Sequence, residues 1–149
     1  MIATRQSRPD DREALFRIWN DAVRATHDFL GEDDIAFFAR LVREEYLPAA
    51  DLTVAVDGQD RPVGFLGMTG AKIDALFVDP AWHGRGVGRA LVEVARAAAP
   101  DLSVDVNEQN RGAVGFYARL GFRVAGRSPL DGTGRPFPLL HLVLEATQK

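Results

Sequence analysis

Hydrophobic positions recur along this chain with two different periods, and the switches between them mark its elements. Residues 2–7 alternate weakly between apolar and polar, the period of a half-exposed strand. From Pro9 the period lengthens. Leu15, Ile18, Trp19, Ala22, Val23 and Thr26 fall at helical intervals and predict an amphipathic helix. Asp10 is placed to cap it, and Glu13 three residues on completes a capping-box spacing. His27-Asp28-Phe29-Leu30-Gly31 closes the element. A second helix is predicted from about Glu32 to Leu47, with Ile35, Phe38, Val42 and Tyr46 on one face and Pro48 as its stop.

At Leu52 the period drops to two. Leu52-Thr53-Val54-Ala55-Val56 predicts a strand, Asp57-Gly58-Gln59-Asp60 a turn, and Pro62 to Thr69 the returning strand of a hairpin. Lys72 to Val78 predicts another strand, stopped by Asp79-Pro80. A glycine-rich loop follows, then a helix with Val87, Ala90, Leu91, Val94 and Ala95 inward, ended by Pro100. Leu102 to Val106 reads as a strand. Asn110 caps a further helix carrying Ala113, Phe116, Tyr117 and Leu120 on one stripe, and Gly121 stands where a left-handed residue closes a helix. Phe122 to Gly126 and Leu139 to Leu144 finish as strands. The order β-α-α-β-β-β-α-β-α-β-β combines hairpins with one strand-loop-helix-strand crossover, which predicts an α/β sheet covered by helices.

Composition narrows the chemistry more than the fold. The 149 residues, 46% hydrophobic and 26% charged, suit one globular domain spanning 1–149. A net charge of −3 gives no overall attraction for nucleic acid or an anionic membrane, and neither is expected as a partner. The first residues lack the basic-then-apolar pattern of a secretory signal, and no apolar run reaches the ~18 residues of a membrane helix, so a cytoplasmic location is expected. Cysteine is absent, which excludes disulfides, thiolate metal sites and a cysteine acyl-enzyme. The three histidines are scattered without ligand spacing, and no metal is expected. Lys72 and Lys149 are the only lysines, a bias that genome composition explains more simply than function does.

Chemistry concentrates in the stretch after Val78. The predicted strand delivers the chain to His83-Gly84-Arg85-Gly86-Val87-Gly88-Arg89, which becomes the first turn of a helix. Unpaired N–H groups of that turn and the positive end of the helix dipole make an anion site. Gly84, Gly86 and Gly88 let phosphates approach the backbone with no Cβ in the way, and Arg85 and Arg89 add charge-assisted contacts. A Walker loop would require Gly-Lys-Ser or Gly-Lys-Thr, which is absent. A dinucleotide fingerprint fails because Leu91 stands where its third glycine belongs.

Two motifs then carry a resemblance. His83-Gly84-Arg85-Gly86-Val87-Gly88 is similar to the Gln/Arg-x-x-Gly-x-Gly/Ala signature of the GCN5-related N-acetyltransferase (GNAT) family, with histidine in the first position. Asn107-Glu108-Gln109-Asn110, followed by Phe116-Tyr117 and Gly121-Phe122, resembles the family's later motif and comes in the right order. Ala25 to Leu30, Pro62 to Phe65, Asp74 to Phe77 and Pro136 to Leu140 resemble its bacterial YjaB-type members, described as peptidyl-lysine N-acetyltransferases, so the likeness covers essentially the whole chain. The resemblance implies a mixed, mostly antiparallel sheet with a central splay between two parallel strands, flanked by about four helices. It implies direct transfer of an acetyl group from acetyl-CoA to a primary amine, with a protein lysine as the acceptor, by a monomer or homodimer. The residues it assigns to acetyl-CoA are Leu76, Phe77 and Val78, then His83 to Arg89, then Asn107, Asn110, Phe116 and Tyr117. Backbone groups of Leu76 to Val78 would pair with the pantetheine arm, and a backbone N–H there would polarise the thioester carbonyl.

Catalytic roles are less evenly marked. Spacing alone makes Tyr117 a core position on an amphipathic stripe; the resemblance makes it the phenol that protonates the departing thiolate. The acceptor amine is mostly protonated at pH 7 and must lose a proton before attack. Several family members carry a glutamate for this on the strand before the cradle, where this chain has Lys72. Asp74 lies two residues on, and on the same face of an unbulged strand. His27, closing the first helix, has a suitable ordinary pKa, and Asn107 can hold a relaying water. The base stays open among these. Trp19 and Trp82 read as packing residues, and His141, alternating with Leu140 and Leu142, reads as solvent-facing. A small-molecule amine as acceptor, and a catalytically weak acyl-CoA-binding module, remain the alternatives.

Overall fold

The computed structural model describes residues 2–145. Strands β1 (Ala3–Gln6), β2 (Leu52–Val56), β3 (Pro62–Thr69), β4 (Lys72–Val78), β5 (Leu102–Asn107), β6 (Arg123–Ser128) and β7 (Leu139–Leu144) alternate with helices α1 (Arg12–Thr26), α2 (Glu32–Arg40), the single turn α3 (Leu47–Ala49), α4 (Val87–Ala98) and α5 (Arg111–Arg119). The strands and the four longer helices come in the order the periodicity predicts, and α3 is an added turn before β2. The strands are hydrogen-bonded in the order β1-β2-β3-β4-β5-β7-β6. The pairs β1–β2, β2–β3, β5–β7 and β6–β7 are antiparallel, and β4–β5 is parallel, joined by the α4 crossover. Among the described residues the parallel ladder holds only Lys72 opposite Ser103 and Ile73 opposite Val104. No helix among the described residues is long and apolar enough to cross a membrane. By its internal contacts the chain divides into two compact units, Met1–Gly67 with Ala75–Val94 and Met68–Asp74 with Ala95–Lys149.

In the first unit the predicted stripe of α1 is the core. Leu15, Ile18, Trp19 and Val23 pack with Ile35 of α2, Leu47 of α3, Leu52, Val54 and Val56 of β2, and Phe65 of β3. The start of α1 differs from expectation. A turn of 3-10 helix over Pro9–Asp11 precedes it, and the carboxylate that reaches back is Asp11, whose Oδ2 accepts the Arg8 N–H at 2.7 Å. Asp11 is recruited over Asp10 because it is buried (6% exposed) and meets both terminal nitrogens of the Arg5 guanidinium, at 2.8 and 3.1 Å. The bonds from Arg5 outweigh the cost of burial and hold the Asp11 carboxyl below the usual carboxylate range. Since the folded form binds its proton less readily, the stability this adds is present at neutral pH and lost as pH falls through the carboxylate range. We expect Asp11→Ala to cost on the order of 3 kcal/mol in denaturant unfolding at pH 7, and to flatten the acid limb of the stability profile.

The second helix also departs from the prediction. After Arg40 it widens into a π-helical segment, Leu41–Tyr46, in which the Leu47 N–H reaches back five residues to the Val42 carbonyl. The chain then keeps helical geometry through Pro48, because a proline at the second position of a new turn has no N–H to place. The wide turn seats the Tyr46 ring on β3: a Cβ built on Gly67 would lie 1.9 Å from the Tyr46 hydroxyl. Gly67→Ala is therefore expected to cost about 1–3 kcal/mol of stability, and adding Tyr46→Phe to it is expected to recover part of that in thermal unfolding.

In the second unit β5 alternates cleanly, with Leu102, Val104 and Val106 buried and Ser103, Asp105 and Asn107 half-exposed. Leu142 and Leu144 of β7 join the buried face. The end of α5 is a Schellman motif: the Gly121 N–H bonds to the Ala118 carbonyl, the Phe122 N–H to the Tyr117 carbonyl, and Gly121 takes a φ of 102°. Phe122 is thus spent on closing the helix, which is why β6 begins at Arg123. The strand runs on to Ser128, two residues past the prediction, through a register shift between Val124 and Gly126.

Candidate functional site

In the first unit the residues Leu76, Phe77 and Val78 are half-exposed at the end of β4. A feature that sequence reading missed follows: a turn of 3-10 helix over Pro80–Trp82, capped by Asp79 Oδ1, which accepts the Ala81 N–H at 3.0 Å. The Asp79-Pro80 pair carries the signal for such a start. The Asp79 N–H is tied to the Val63 carbonyl at 2.8 Å, so the loop leaves from a fixed point. His83 Nε2–H donates to the Val78 carbonyl at 3.1 Å, bracing the loop against the strand it came from. Gly84 and Gly86 adopt φ of 77° and 84°, and a Cβ on either would meet nothing within 4 Å. The backbone here therefore takes a shape that favours glycine and faces open space.

Ala90 makes the first bond of the α4 ladder, to the Gly86 carbonyl at 3.0 Å, which leaves the N–H groups of Val87, Gly88 and Arg89 ahead of it. Val87 is buried and anchors the helix start on β3, where its Cγ1 lies 2.9 Å from the place of a Gly64 Cβ. Arg85 stands over the Trp82 ring at 5.0 Å, and Arg85 and Arg89 are both exposed. Open glycines, the leading N–H groups of a helix and two exposed guanidinium groups fit a pyrophosphate. His27 also belongs to this unit. Thr26 Oγ1 spends its proton on the Ala22 carbonyl at 2.7 Å and so accepts from His27 Nδ1 at 2.7 Å.

The second unit holds Asn107, Asn110, Phe116, Tyr117 and Asp74. Asn110 Oδ1 caps α5 by accepting the Ala113 N–H at 3.2 Å, so that side chain is committed to the helix start. Asn107 ends β5, half-exposed, and its carbonyl accepts the Asn110 N–H. The Tyr117 ring lies edge-on between Phe116 and Phe122, with centroids 5.1 Å away on each side. Phe-Tyr and Gly-Phe, read as separate marks in the sequence, are thus one device: the glycine turns the chain so that Phe122 clamps the tyrosine. The side chain is buried (5% exposed), and among the described residues its hydroxyl makes no hydrogen bond. Burial pushes its pKa well above that of a free phenol, so it stays protonated through the neutral range. Asp74 is exposed and accepts a hydrogen bond from the Thr69 hydroxyl.

His141 does not simply face solvent as expected. It is half-buried, with Nδ1 2.7 Å from Asp105 Oδ1 and Nε2 2.6 Å from Ser128 Oγ, while Asp105 Oδ2 pairs with Lys72 Nζ at 2.8 Å. The sequence carried no signal for this chain of groups, because it rests on the register that sets Asp105 opposite His141 across β5 and β7.

The profile of the Acetyltransferase (GNAT) domain matches residues 48–124, more than half of the sequence. The chain belongs to the GNAT acetyltransferase family. It is an N-acetyltransferase whose acyl donor is acetyl-CoA and whose acceptor is an amine. Two relatives extend the match over nearly the whole chain. One is the peptidyl-lysine N-acetyltransferase YjaB of Salmonella typhimurium, 51% identical over 96% of this chain and 98% of that protein. The YjaB of Escherichia coli strain K12 is 51% identical over 95% and 96%. The solution structure of apo YjaB from Escherichia coli superposes with a TM-score of 0.93 at 49% identity, covering 99% of both chains. The mixed sheet expected from the resemblance is the one observed.

Proposed function

We propose that this enzyme acetylates lysine side chains of proteins. The observation that carries the reading is the 51% identity, over almost the full length, to proteins named as peptidyl-lysine N-acetyltransferases. The two compact units act here as one domain.

In this reading the N–H groups of Gly86, Val87 and Gly88 and the guanidinium groups of Arg85 and Arg89 hold the pyrophosphate, with Gly84 shaping the approach and His83 bracing it. Backbone groups of Leu76, Phe77 and Val78 align the pantetheine arm, and a main-chain N–H at this strand end stabilises the oxyanion of the tetrahedral intermediate. Phe116 and Phe122 hold the Tyr117 hydroxyl ready for the sulfur. A phenol raised by burial is a weaker acid than a thiol, whose ordinary pKa is about 8.5. Tyr117 therefore acts first as a hydrogen-bond donor to the charge building on sulfur, and its proton follows as the thiol departs. Asn107 lies on the same face of β5 as Asp105 and orients a water or the acceptor. The chain contains no cysteine to take up the acyl group, which supports direct transfer within a ternary complex.

The test is release of free CoA by the purified protein with acetyl-CoA and a panel of acceptors: lysine peptides, free amino acids, polyamines and no amine. Stimulation by lysine peptides above all small amines is expected. Stimulation by a small amine alone would transfer the function to that amine, and tight acetyl-CoA binding with no stimulated release would favour a binding module.

A further inference from the structure

We propose that His141 is the base that relieves the acceptor ammonium of its proton, with Ser128 as the hydroxyl in its path and Asp105 as the residue that positions it. The inference rests on the acetyltransferase reading above and names a residue which that reading leaves open.

Its groups come from three adjacent strands of the second unit. Asp105 lies at a half-exposed position of β5, Ser128 is the last residue of β6, and His141 stands on β7 between them. An ionised carboxylate can only accept, so the 2.7 Å contact with Asp105 Oδ1 fixes the proton of the neutral imidazole on Nδ1. Nε2 then carries the lone pair, and the Ser128 hydroxyl donates to it at 2.6 Å. A carboxylate that settles the tautomer, and a lone pair directed at a hydroxyl, make an imidazole ready to accept a proton. Asp105 is kept ionised: burial pushes its carboxyl up, and the bonds from His141 and Lys72 outweigh that and hold it below the usual range.

The surroundings fit the role. From β5 the ring meets Asp105; from β4 Lys72 reaches it only through that carboxylate. From β6 it meets Ser128 and the backbone of Gly126, where a Cβ would lie 3.4 Å from the ring Cδ2. Arg127, next on β6, is occupied by Glu108 at 2.8 and 3.0 Å. The Ser128–His141 end marks the root of the 129–138 loop, which leaves from Ser128 and returns at Leu139, opposite Asn107. The candidates named from sequence are less well built. Asp74 is exposed and takes the Thr69 hydroxyl, and His27 Nδ1 is held by the Thr26 hydroxyl.

The acceptor ammonium gives one proton to Ser128 Oγ as the Ser128 hydroxyl proton passes to His141 Nε2, leaving a neutral amine and an imidazolium paired with Asp105. The amine nitrogen bonds to the thioester carbon, the carbon–sulfur bond breaks, and the sulfur leaves with its electron pair to be protonated. Tyr117 protonates the sulfur; of the nitrogen's remaining extra proton and the proton on Nε2, one returns to the Tyr117 phenolate through solvent and the other is released to water, a net release of one proton.

The experiment compares wild type with His141→Gln and Asp105→Asn at pH 7 on two acceptors: a lysine peptide, and the same peptide with an aminooxy group, neutral at that pH, in place of the ε-ammonium. The dissociation constant for acetyl-CoA, measured by calorimetry, should be unchanged in both variants, which establishes that they are folded. On the lysine peptide His141→Gln is expected to lower kcat by about 10²-fold, with Asp105→Asn intermediate. On the aminooxy peptide the loss should shrink to a few-fold. The fall in wild-type kcat on acidification should vanish in His141→Gln. Equal losses on both acceptors, or a variant with wild-type rate and pH profile, would overturn the assignment. Inactivity of the wild type on both acceptors would instead sink the reading beneath it.

Discussion

Tyr117→Phe is expected to lower kcat by about 10²-fold or more while acetyl-CoA binds within a few-fold of its wild-type affinity. The substitution removes one oxygen from a ring otherwise held edge-on by Phe116 and Phe122. Those contacts are with the ring, and the hydroxyl makes no hydrogen bond among the described residues. The fold should therefore tolerate the change, and thermal stability should stay equal or rise slightly. That separates the two meanings of a buried tyrosine. A merely structural Tyr117 predicts little kinetic change on losing the hydroxyl, whereas a proton donor predicts a fall in kcat with the ground-state complex intact. Steady-state kinetics beside a direct binding measurement decides between them, and near-normal turnover would remove Tyr117 from the mechanism.

The second large effect is expected at Gly86. With φ at 84°, any side chain there costs about 1–3 kcal/mol in backbone strain unless the loop rearranges. Since the space above the residue is open, Gly86→Ala should leave the protein folded. The relaxed loop would no longer aim its N–H groups at a pyrophosphate, and the new methyl would lie on the ligand's approach. The dissociation constant for acetyl-CoA should rise by roughly 10- to 100-fold, that is about 1.4–2.7 kcal/mol, with a much smaller change in kcat at saturation. Gly58→Ala, equally open but outside the left-handed region, is the control and should bind normally. Unchanged affinity in Gly86→Ala would remove the loop from acetyl-CoA binding.

What the sequence revealed, and what it hid, follows from the range of the interactions. The strand-loop-helix of the cradle is local: strand β4, three glycines and the stripe of α4 lie within 27 consecutive residues, and each speaks through period or backbone freedom. The same holds for Gly121, whose left-handed turn was readable from its place after an amphipathic stripe. Features that depend on distant partners were missed. Spacing to Glu13 favours Asp10 as the cap, and only Arg5 on β1 decides for Asp11. The π-helical widening before Pro48 answers to Tyr46 packing on Gly67 of β3. His141 looked like an outward strand position because alternation says which side a residue faces, not which residue of the next strand it meets. Ser128, Asp105 and Lys72 come to it from positions 13, 36 and 69 residues away in sequence, through pairings that no local pattern encodes.

Intact-mass spectrometry of the acceptor tests the central claim most directly. The purified enzyme is incubated with acetyl-CoA and a small protein rich in exposed lysines, beside the same protein with its amines already acetylated. The account predicts acetyl groups added stepwise to the first acceptor, localised to lysine ε-nitrogens, at a rate well above the enzyme-free mixture and sharply reduced by Tyr117→Phe. No addition above the enzyme-free rate, while the same enzyme acetylates a small amine, would contradict it.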